Sequence, residues 1–568
     1  MRIGRLAVIL NIIIILFYSG NQITLAQDEL MDILVEELER EMATLSEQEY
    51  PPYYLDYRVD DVSSVTLQTS FGSLTGKSSN KGRALTTTLR IGDYAFDNTH
   101  VFRGDFSMPE QSAVFSAQLP IENEEDAIKQ SLWLATDQVY KNALSSYTTL
   151  IQRRKEVTEE NPIPDFSKEL PSNYFEPPYP EEEMQFNAEE WIDRLKEYTR
   201  LFKMDSTIFH SEALLAFIVN RKYFVSTEGT RIVQNFKYAQ LQIQLSIQHK
   251  GGSILPLNKS YTAFLPSDLP DHNIILSDLE ELYEKLQILK NAPMAEAYAG
   301  PAILSPGAAG VFFHEIFGHR IEGHRLESFT DGQTFKEKVG SKVLPKEFNV
   351  YSDPTLMNFD GQDLIGYYPY DDQGIPARKV NVVEKGILKH FLMSRQPTGE
   401  FSNSSGHGRA QAGFAPVSRQ SNLIIETTKP VSWPDMRKQL IKECKKQNKE
   451  YGYYFKEVIG GLTITDRYNP NVFDITPIEV YRIYVDGRPD ELVSGVDLIG
   501  TPLTMFSNII AGSDNREVFT GFCGAESGHV PVTTISPALF VRKIETQKAP
   551  EFDSKLPLLP SPDKEDDK

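Results

Sequence analysis

Apolar positions in the N-terminal half follow two different periods, one typical of helices and one typical of strands. Residues 28–45 carry apolar side chains three or four apart among strong helix formers, which predicts an amphipathic opening helix. After a proline pair, β-branched and aromatic residues are enriched over 54–59, 63–71 and 85–91, with glycine, serine and asparagine between the runs. These runs predict an antiparallel sheet.

Helical spacing returns over 124–156, where we predict a helix that is broken once. Further strands are predicted between 207 and 248, and a helix over 276–291 is expected to be capped by Ser277. Helices and strands in this order indicate an α+β domain. We assign this domain to residues 27–293.

A proline-rich, acidic segment interrupts the predicted domain at residues 159–186. Six prolines lie within it. Because proline lacks a backbone N–H donor and has a fixed φ, we expect no regular helix or strand in this segment. We interpret it as a surface excursion rather than a domain boundary, since helix and strand patterns resume after it.

Residues 294–548 are predicted to form a second domain, dominated by strands. Glycine-containing turns such as 372–374 and 384–386 separate its β-rich runs, which is typical of a curled or barrel-like β structure. An apolar helix over 310–317 is expected to pack against that structure. The tail, residues 549–568, is rich in proline and charge, and we predict that it is disordered.

Composition agrees with two folded domains. The chain has 568 residues, more than one hydrophobic core commonly serves. Its contents of 40% hydrophobic and 24% charged residues are those of a globular protein. The formal net charge of -21 argues against binding to nucleic acid or to an anionic membrane surface, because surfaces that bind phosphate are basic.

The first 26 residues have the pattern of a signal peptide. Arg2 and Arg5 precede an apolar run from Leu6 to Phe17, and Ala26 offers a small residue at a cleavage point. An uncleaved anchor is the alternative, but the run falls short of the ~20 residues of a spanning helix. We therefore expect export to a bacterial periplasm and no stable membrane insertion after cleavage.

The segment 311–327, VFFHEIFGHRIEGHRLE, has the chemistry of a metal site. Zinc binds neutral imidazoles, and hydrolysis needs a carboxylate near the bound water. His314 and His319 are five residues apart rather than the four of the common H-E-x-x-H helix. In a regular helix five residues correspond to a rotation of roughly 140° between the two side chains. We therefore expect either a π-bulge or helix termination at Gly318.

The run LSPGAAGVFFHEIFGHRIEGHRLE resembles the signature of the TldD/PmbA family of metallopeptidases. Three further segments are similar to the same family: DLIGYYPYDDQGIPARKVNVVEKGILKHFL, SSGHGRAQAGFAPVSRQSNLII and GFCGAESGHVPV. The resemblance covers about 302–545. It implies one zinc ion per chain, held by His314, His319 and the thiolate of Cys523, with Glu315 as general base.

The resemblance also bears on the only other cysteine. Cys444 lies in the charged stretch IKECKKQNKE, which predicts an exposed helix. Two cysteines in an exported chain would otherwise suggest a disulfide. If Cys523 binds zinc, a bridge between these cysteines is excluded in the active form.

Four more residues are candidates for supporting roles. His324 follows His314 at the first-to-third ligand spacing of another zinc motif, but we expect it to be a neighbour of the site or a surface residue rather than a ligand. Glu322 is expected to orient an imidazole. His407 and Arg409 lie in a family-like segment, and both are possible substrate contacts. The Asp371-Asp372-Gln373-Gly374 stretch is interpreted as a turn.

The predicted function is that of an exported zinc peptidase that cleaves extended or unfolded peptides. The resemblance implies two subunits around the site, either two copies or a pairing with a PmbA-like partner, and a substrate that lies as an added strand. The alternative is an exported peptide-binding or assembly protein whose metal site is structural and catalytically idle. Such a site would fill all four zinc positions, for example with His324.

Overall fold

The computed structural model describes residues 28–102, 113–157, 163–203, 205, 207–248, 254–328, 331–463, 465 and 473–548. The predicted signal peptide and the predicted disordered tail lie outside these residues. The helices are α1 (Glu29–Leu45), α2 (Glu125–Arg153), α3 (Glu181–Met184), α4 (Ala188–Arg200), α5 (His272–Leu289), α6 (Pro306–Ile316), α7 (Trp433–Lys446) and α8 (Pro502–Ser507).

The strands of the N-terminal half are β1 (Pro52–Ser70), β2 (Ser73–Ile91), β3 (Val114–Leu119), β4 (Asn173–Phe175), β5 (Ile208–Ser226), β6 (Arg231–Gln248) and β7 (Ile254–Ala263). Those of the C-terminal half are β8 (Tyr298–Leu304), β9 (Phe348–Ser352), β10 (Asn358–Phe359), β11 (Gln362–Asp363), β12 (Val380–Glu384), β13 (Ile387–Leu388), β14 (Gly408–Arg409), β15 (Val417–Ser418), β16 (Asn422–Thr427), β17 (Tyr451–Thr463), β18 (Phe473–Tyr484), β19 (Glu491–Val493), β20 (Val496–Gly500), β21 (Ile509–Ala525) and β22 (Gly528–Lys548).

The first seven strands form one sheet in the order β3-β2-β1-β5-β6-β4, with β7 also paired to β6. Alternate residues of β1 point to one face, where Leu55, Tyr57 and Val59 pack under α1 and α2 and Leu67 packs under α4. Because side chains in a strand alternate between the faces, the helices cover one face and leave the other for the C-terminal half.

Several details of this half differ from the sequence predictions. The runs 54–59 and 63–71 belong to the single strand β1, and α2 is continuous where a break was expected. Helix α5 begins at His272 after Asp271, so the predicted Ser277 cap is wrong. The proline-rich segment, where no regular element was expected, contains the three-residue strand β4, which pairs with β6 in parallel, and the four-residue helix α3.

Strands of the C-terminal half form an eleven-stranded sheet, part of which closes on itself. Strand β8 pairs with β17, and the pairings continue through β18 and β20 to β22, which returns to β8. This ring-like sheet, beside the mixed N-terminal half, confirms the predicted α+β class with a β-rich, curled C-terminal part. Helix α6 packs on β17, β21 and β22.

The described helices include none that combines the length and apolarity needed to cross a lipid bilayer.

Candidate metal centre

Helix α6 carries the first two motif residues and is fixed at its start. Ser305 precedes it, and the Ser305 Oγ accepts a hydrogen bond from the Ala308 N–H at 3.1 Å. Pro306 occupies the first turn, where its missing N–H costs nothing. The same Oγ donates to the Lys456 carbonyl at 2.7 Å. These contacts tie the helix to β17 before the motif begins.

The helix ends at Ile316, between the two histidines. A 3₁₀ helix over Gly318–Ile321 follows directly and carries His319. Of the two expected geometries, helix termination is therefore the one observed. The change to tighter winding turns His319 toward His314, and the centroids of the two rings lie 5.0 Å apart at 80°.

Gly318 is required by space rather than by its backbone angles. A Cβ at this position would lie 1.7 Å from the Oε1 of Gln420. The Nε2 of Gln420 in turn donates to the His314 carbonyl at 3.4 Å. The side chain of Gln420 thus occupies the corner where the chain turns from one histidine to the other.

Cys523 joins the two histidines from β21. Its Sγ lies 3.3 Å from the Nε2 of His319, and one potential ligand atom from each of the three residues lies within 4.8 Å of the others. All three side chains are buried. The structure thus brings together the three residues that the resemblance implied.

The electrostatics of the group follow from this proximity. Burial disfavours protonation of His319, but Cys523 and Glu322 outweigh it and raise the pKa of His319 to about 10. Burial likewise opposes ionisation of Cys523, yet the two imidazoles hold the pKa of its thiol well below the usual range. Each group thus favours the charged form of the other, and a cation bound to the thiolate would compete with the proton on His319.

The donor set fits zinc. With bond lengths of about 2.3 Å to sulfur and 2.0–2.1 Å to nitrogen, two ligands of a tetrahedral ion lie roughly 3.5 Å apart, which is comparable with the spacings found here. The Nδ1 of His314 is buried without a hydrogen-bond partner among the described residues. Three protein ligands would leave the fourth position for water, which is the catalytic arrangement.

Glu322 lies behind His319, as predicted. Its Oε2 accepts from the Nδ1 of His319 at 3.2 Å, and the carboxylate is fully buried. Burial opposes its ionisation, but His319 and Arg325 lower its pKa to about 2. A carboxylate on one ring nitrogen directs the other nitrogen toward the ligand position.

A wide cleft opens over the three residues. It has a volume of about 1130 Å³, and His314, Glu315, His319 and Cys523 all line it. Residues of β6 and β7 form the opposite wall, and residues 457–463 and 518–525 flank the metal group. Glu315 is only 7% exposed, so its carboxylate faces a restricted space beside His314, His319 and Cys523.

The other three candidates, His324, His407 and Arg409, lie outside the group formed by His314, His319 and Cys523. His324 is buried, and its Nε2 contacts the Oε1 of Glu526. It is not part of the three-residue group. His407 is fully buried, with its Nε2 on the Ser352 hydroxyl at 3.1 Å. Arg409 is also buried and donates to the Gln420 carbonyl at 2.5 Å. Neither His407 nor Arg409 lines the cleft.

The turn predicted over residues 371–374 is present and connects several segments. The carboxylate of Asp371 accepts from the N–H groups of Gln373, Ile375 and Gly408. Asp372 accepts from the ammonium of Lys222 on β5 at 2.7 Å. The turn therefore fastens the C-terminal half to the first sheet.

The expectation that Cys444 is exposed was wrong. It lies on α7 as predicted, but its side chain is fully buried against Met436, Leu440 and Ile483. Burial raises the pKa of its thiol to about 12. Both cysteines are free.

Sequence reasoning missed three residues around the group: Arg419, Gln420 and Glu526. The first two lie within the family-like segment SSGHGRAQAGFAPVSRQSNLII, but their spacing gives no indication of contact with α6. Glu526 follows Cys523 by three residues, and its carboxylate binds both His324 and Arg325. The position of Glu526 so close in sequence to Cys523, a candidate ligand, is the signal from which its role could have been predicted.

Comparison with known proteins places this geometry in a family context. Residues 297–548 match the model described as the PmbA/TldA metallopeptidase C-terminal domain. A metalloprotease of Methanocaldococcus jannaschii is 28% identical over 316 residues, which are 56% of this chain and 65% of that protein. A zinc metalloprotease TldD homolog of Saccharolobus solfataricus is 25% identical over 331 residues, 58% of this chain and 69% of the relative.

The crystal structure of TldE from Thermococcus kodakarensis has a similar fold. The TM-score is 0.61 at 15% identity, covering 92% of this chain and 100% of TldE. The sequence match spans less than two thirds of the Methanocaldococcus relative, whereas the similarity of fold extends over nearly the whole chain. The matched C-terminal domain and these relatives support membership of the chain in the TldD/PmbA family of metallopeptidases.

Proposed function

We propose that this protein is an exported zinc peptidase that hydrolyses extended or unfolded peptides. The observation that carries the proposal is the placement of His314, His319 and Cys523, with their ligand atoms within 4.8 Å, in a cleft that Glu315 also lines. A bound zinc ion would supply Lewis-acid chemistry, lowering the pKa of water at its open position to about 7.

Glu315 is proposed as the general base. Among the described acids of the motif, residues 311–327, Glu315 alone lines the cleft. Glu322 is fully buried behind His319. The carboxylate of Glu315 would take the proton from the attacking water and later return it to the leaving amine. The cleft, with a volume of about 1130 Å³, leaves room for a chain.

The shape of the cleft supports an extended substrate. Residues 518–525 of β21 pair with β22 and with no other described strand, and β8 covers β17 only at residues 453–455. Residues 457–463 and 518–525 therefore line the cleft with strand edges that no further described strand covers. Such edges bind an extended peptide by main-chain hydrogen bonds, largely independently of its sequence.

Peptide hydrolysis with and without chelator tests the proposal. The purified protein should cleave an unstructured peptide mixture, lose that activity with a chelator and recover it with zinc. Glu315→Gln should keep zinc and lose cleavage, because the substitution preserves size and removes the base. If Glu315→Gln cleaves as fast as the unchanged protein, or if zinc-loaded protein binds peptides without cleaving them, the alternative of a peptide-binding protein with a structural metal site is favoured.

We propose that the protein is exported because residues 1–26 have the pattern of a signal peptide. Expression of the full chain in a bacterium should yield a periplasmic protein that begins at Gln27, as N-terminal sequencing would determine. A chain without residues 2–26 should stay in the cytoplasm. Cytoplasmic retention of the full chain would contradict export.

A dimer is proposed for the working enzyme, formed by two copies or with a PmbA-like chain. Two subunits facing each other would complete the walls of a cleft that is open on one side of a single chain. Light scattering of the purified protein should give twice the chain mass for the two-copy form. A monomer that is nevertheless active on peptides would contradict the requirement for either partner.

A further inference from the structure

A second cavity continues from the metal cleft at the other end of α6. It has a volume of about 570 Å³. Residues 305–308, at the start of α6, form its base, and Trp433 and Tyr454 form one wall. Val458 and Phe519 line both this cavity and the metal cleft. The two spaces therefore adjoin each other, and we call them together the trough.

Helix α6 is the floor of the trough, and β17 and β21 are its sides. On one side, Ser305 contacts the Lys456 carbonyl and Arg320 donates to the Thr463 hydroxyl at 2.9 Å. On the other side, the carboxylate of Glu517 lies next to Gly307, and Cys523 lies beside His319. Both strands thus accompany the helix from its first turn to the metal group.

The distance along the floor sets a register for an extended peptide. Residues 305–307 precede His314 by seven to nine positions, which is ~10–14 Å at 1.5 Å per helical residue. An extended chain advances ~3.3 Å per residue. A peptide whose scissile bond lies at the metal group therefore places its third or fourth residue from that bond at the second cavity.

The chemistry of the second cavity favours an aromatic side chain. Trp433 and Tyr454 contact each other with ring centroids 4.6 Å apart, and Trp433 remains 38% exposed. Two of the charged residues that line the cavity, Lys456 and Lys285, bind the buried carboxylate of Glu479, at 2.8 and 3.2 Å. Lys259, Glu457 and Glu517 are the other charged residues of the lining. The exposed part of Trp433 is the aromatic surface that the cavity offers to a ligand.

We propose that this cavity is a specificity subsite, in which Trp433 and Tyr454 bind an aromatic side chain three or four residues from the scissile bond. The inference rests on the proposed peptidase function and adds to it a preference that strand pairing alone would not produce. Aromatic contacts of this kind contribute selectivity of roughly two- to tenfold.

Cleavage of a peptide series tests the register. Each peptide of the series contains a single phenylalanine in a sequence that otherwise consists of alanine, serine and glycine. The phenylalanine is shifted by one position from each peptide to the next, and mass spectrometry locates each cut. Cuts should concentrate where the phenylalanine lies three or four residues from the broken bond, on one side of it. Trp433→Ala should abolish that concentration of cuts. Trp133→Ala is the matched control, because Trp133 is 45% exposed on α2.

A binding measurement keeps the inference independent of turnover. Peptides with and without the phenylalanine are titrated into zinc-loaded Glu315→Gln protein, and the same titration is repeated with Trp433→Ala added. The phenylalanine should tighten binding only when Trp433 is present. Cleavage or binding that is indifferent to the phenylalanine, or a preference that survives Trp433→Ala, would overturn the subsite. Absence of hydrolysis for every peptide would count against the peptidase proposal, while the titration still decides the subsite.

Discussion

Arg419 donates a hydrogen bond from its Nη2 to the backbone carbonyl of Cys523 at 2.6 Å, although 104 residues separate them. The Nε of the same guanidinium lies 3.5 Å from the Oε1 of Glu322, whose other oxygen binds His319. Arg419 is fully buried. One side chain therefore connects the segment of the thiol with the carboxylate that orients an imidazole.

Arg419→Lys should weaken zinc binding by about 10- to 100-fold, the usual effect of losing an outer contact of a metal site. Lysine keeps the charge but cannot bridge both positions with a planar fork. Zinc affinity is measured by competition with a chromogenic chelator. Arg395→Lys is the control for the loss of a buried arginine, because Arg395 is equally buried and pairs with Glu228 away from the group. Equal losses of zinc affinity in both variants would show that Arg419 acts only through general stability.

Each of His314→Ala, His319→Ala and Cys523→Ala should lower bound zinc sharply, because each removes one of three ligands. His324→Ala should retain zinc, since the ring of His324 is engaged with Glu526. Metal analysis of the purified variants, together with circular dichroism to verify folding, provides the test. Full zinc occupancy in folded Cys523→Ala would contradict the ligand assignment.

Gly318→Ala should disturb the turn between the two histidines, because the new methyl group would overlap the side chain of Gln420. Overpacking of this kind costs about 1–3 kcal/mol. The melting temperature and the zinc content should both fall. Adding Gln420→Ala removes the overlapping atoms and should restore part of both. Gly82→Ala is the control, since a Cβ there meets no atom within 4 Å. A tolerated Gly318→Ala would mean that Gln420 can move aside freely.

Acid should destabilise the protein partly through His407. Burial holds the pKa of His407 at about 3 in the folded state, whereas an unfolded histidine titrates near 6.5. The unfolded state therefore binds the proton first, so the stability contributed by neutral His407 is present above pH 6.5 and is lost as the pH falls toward 3. The loss has a limit of about 1.4 kcal/mol per pH unit.

Urea unfolding at several pH values between 4 and 7 measures this effect. His407→Gln cannot bind the proton and should show a flatter dependence of the free energy of unfolding on pH than the unchanged protein. His390→Gln, at an exposed position, should leave the dependence as it was. Parallel curves for His407→Gln and the unchanged protein would contradict the assigned cause.

The sequence by itself determined the features that depend on near neighbours. Apolar spacing predicted α1 and the strands of the first sheet, and the five-residue gap between His314 and His319 required a break in the helix. Both conclusions follow from the fixed geometry of helices and strands. The spacing of the two histidines could not decide between helix termination and a π-bulge. That choice depends on Gln420, whose side chain packs against Gly318 although it lies 102 positions later in the chain.

Only the tertiary structure decided which distant side chains meet. The charged stretch around Cys444 predicted a helix correctly, but its exposure was misjudged because one face of α7 packs on β8 and β22. The link from Arg419 to Cys523 and the trough along α6 arise where β17 and β21 pass the helix. Such contacts join segments 100 or 200 residues apart, and local periodicity carries no information about them, since the pairing of strands in the folded sheet sets which segments become neighbours.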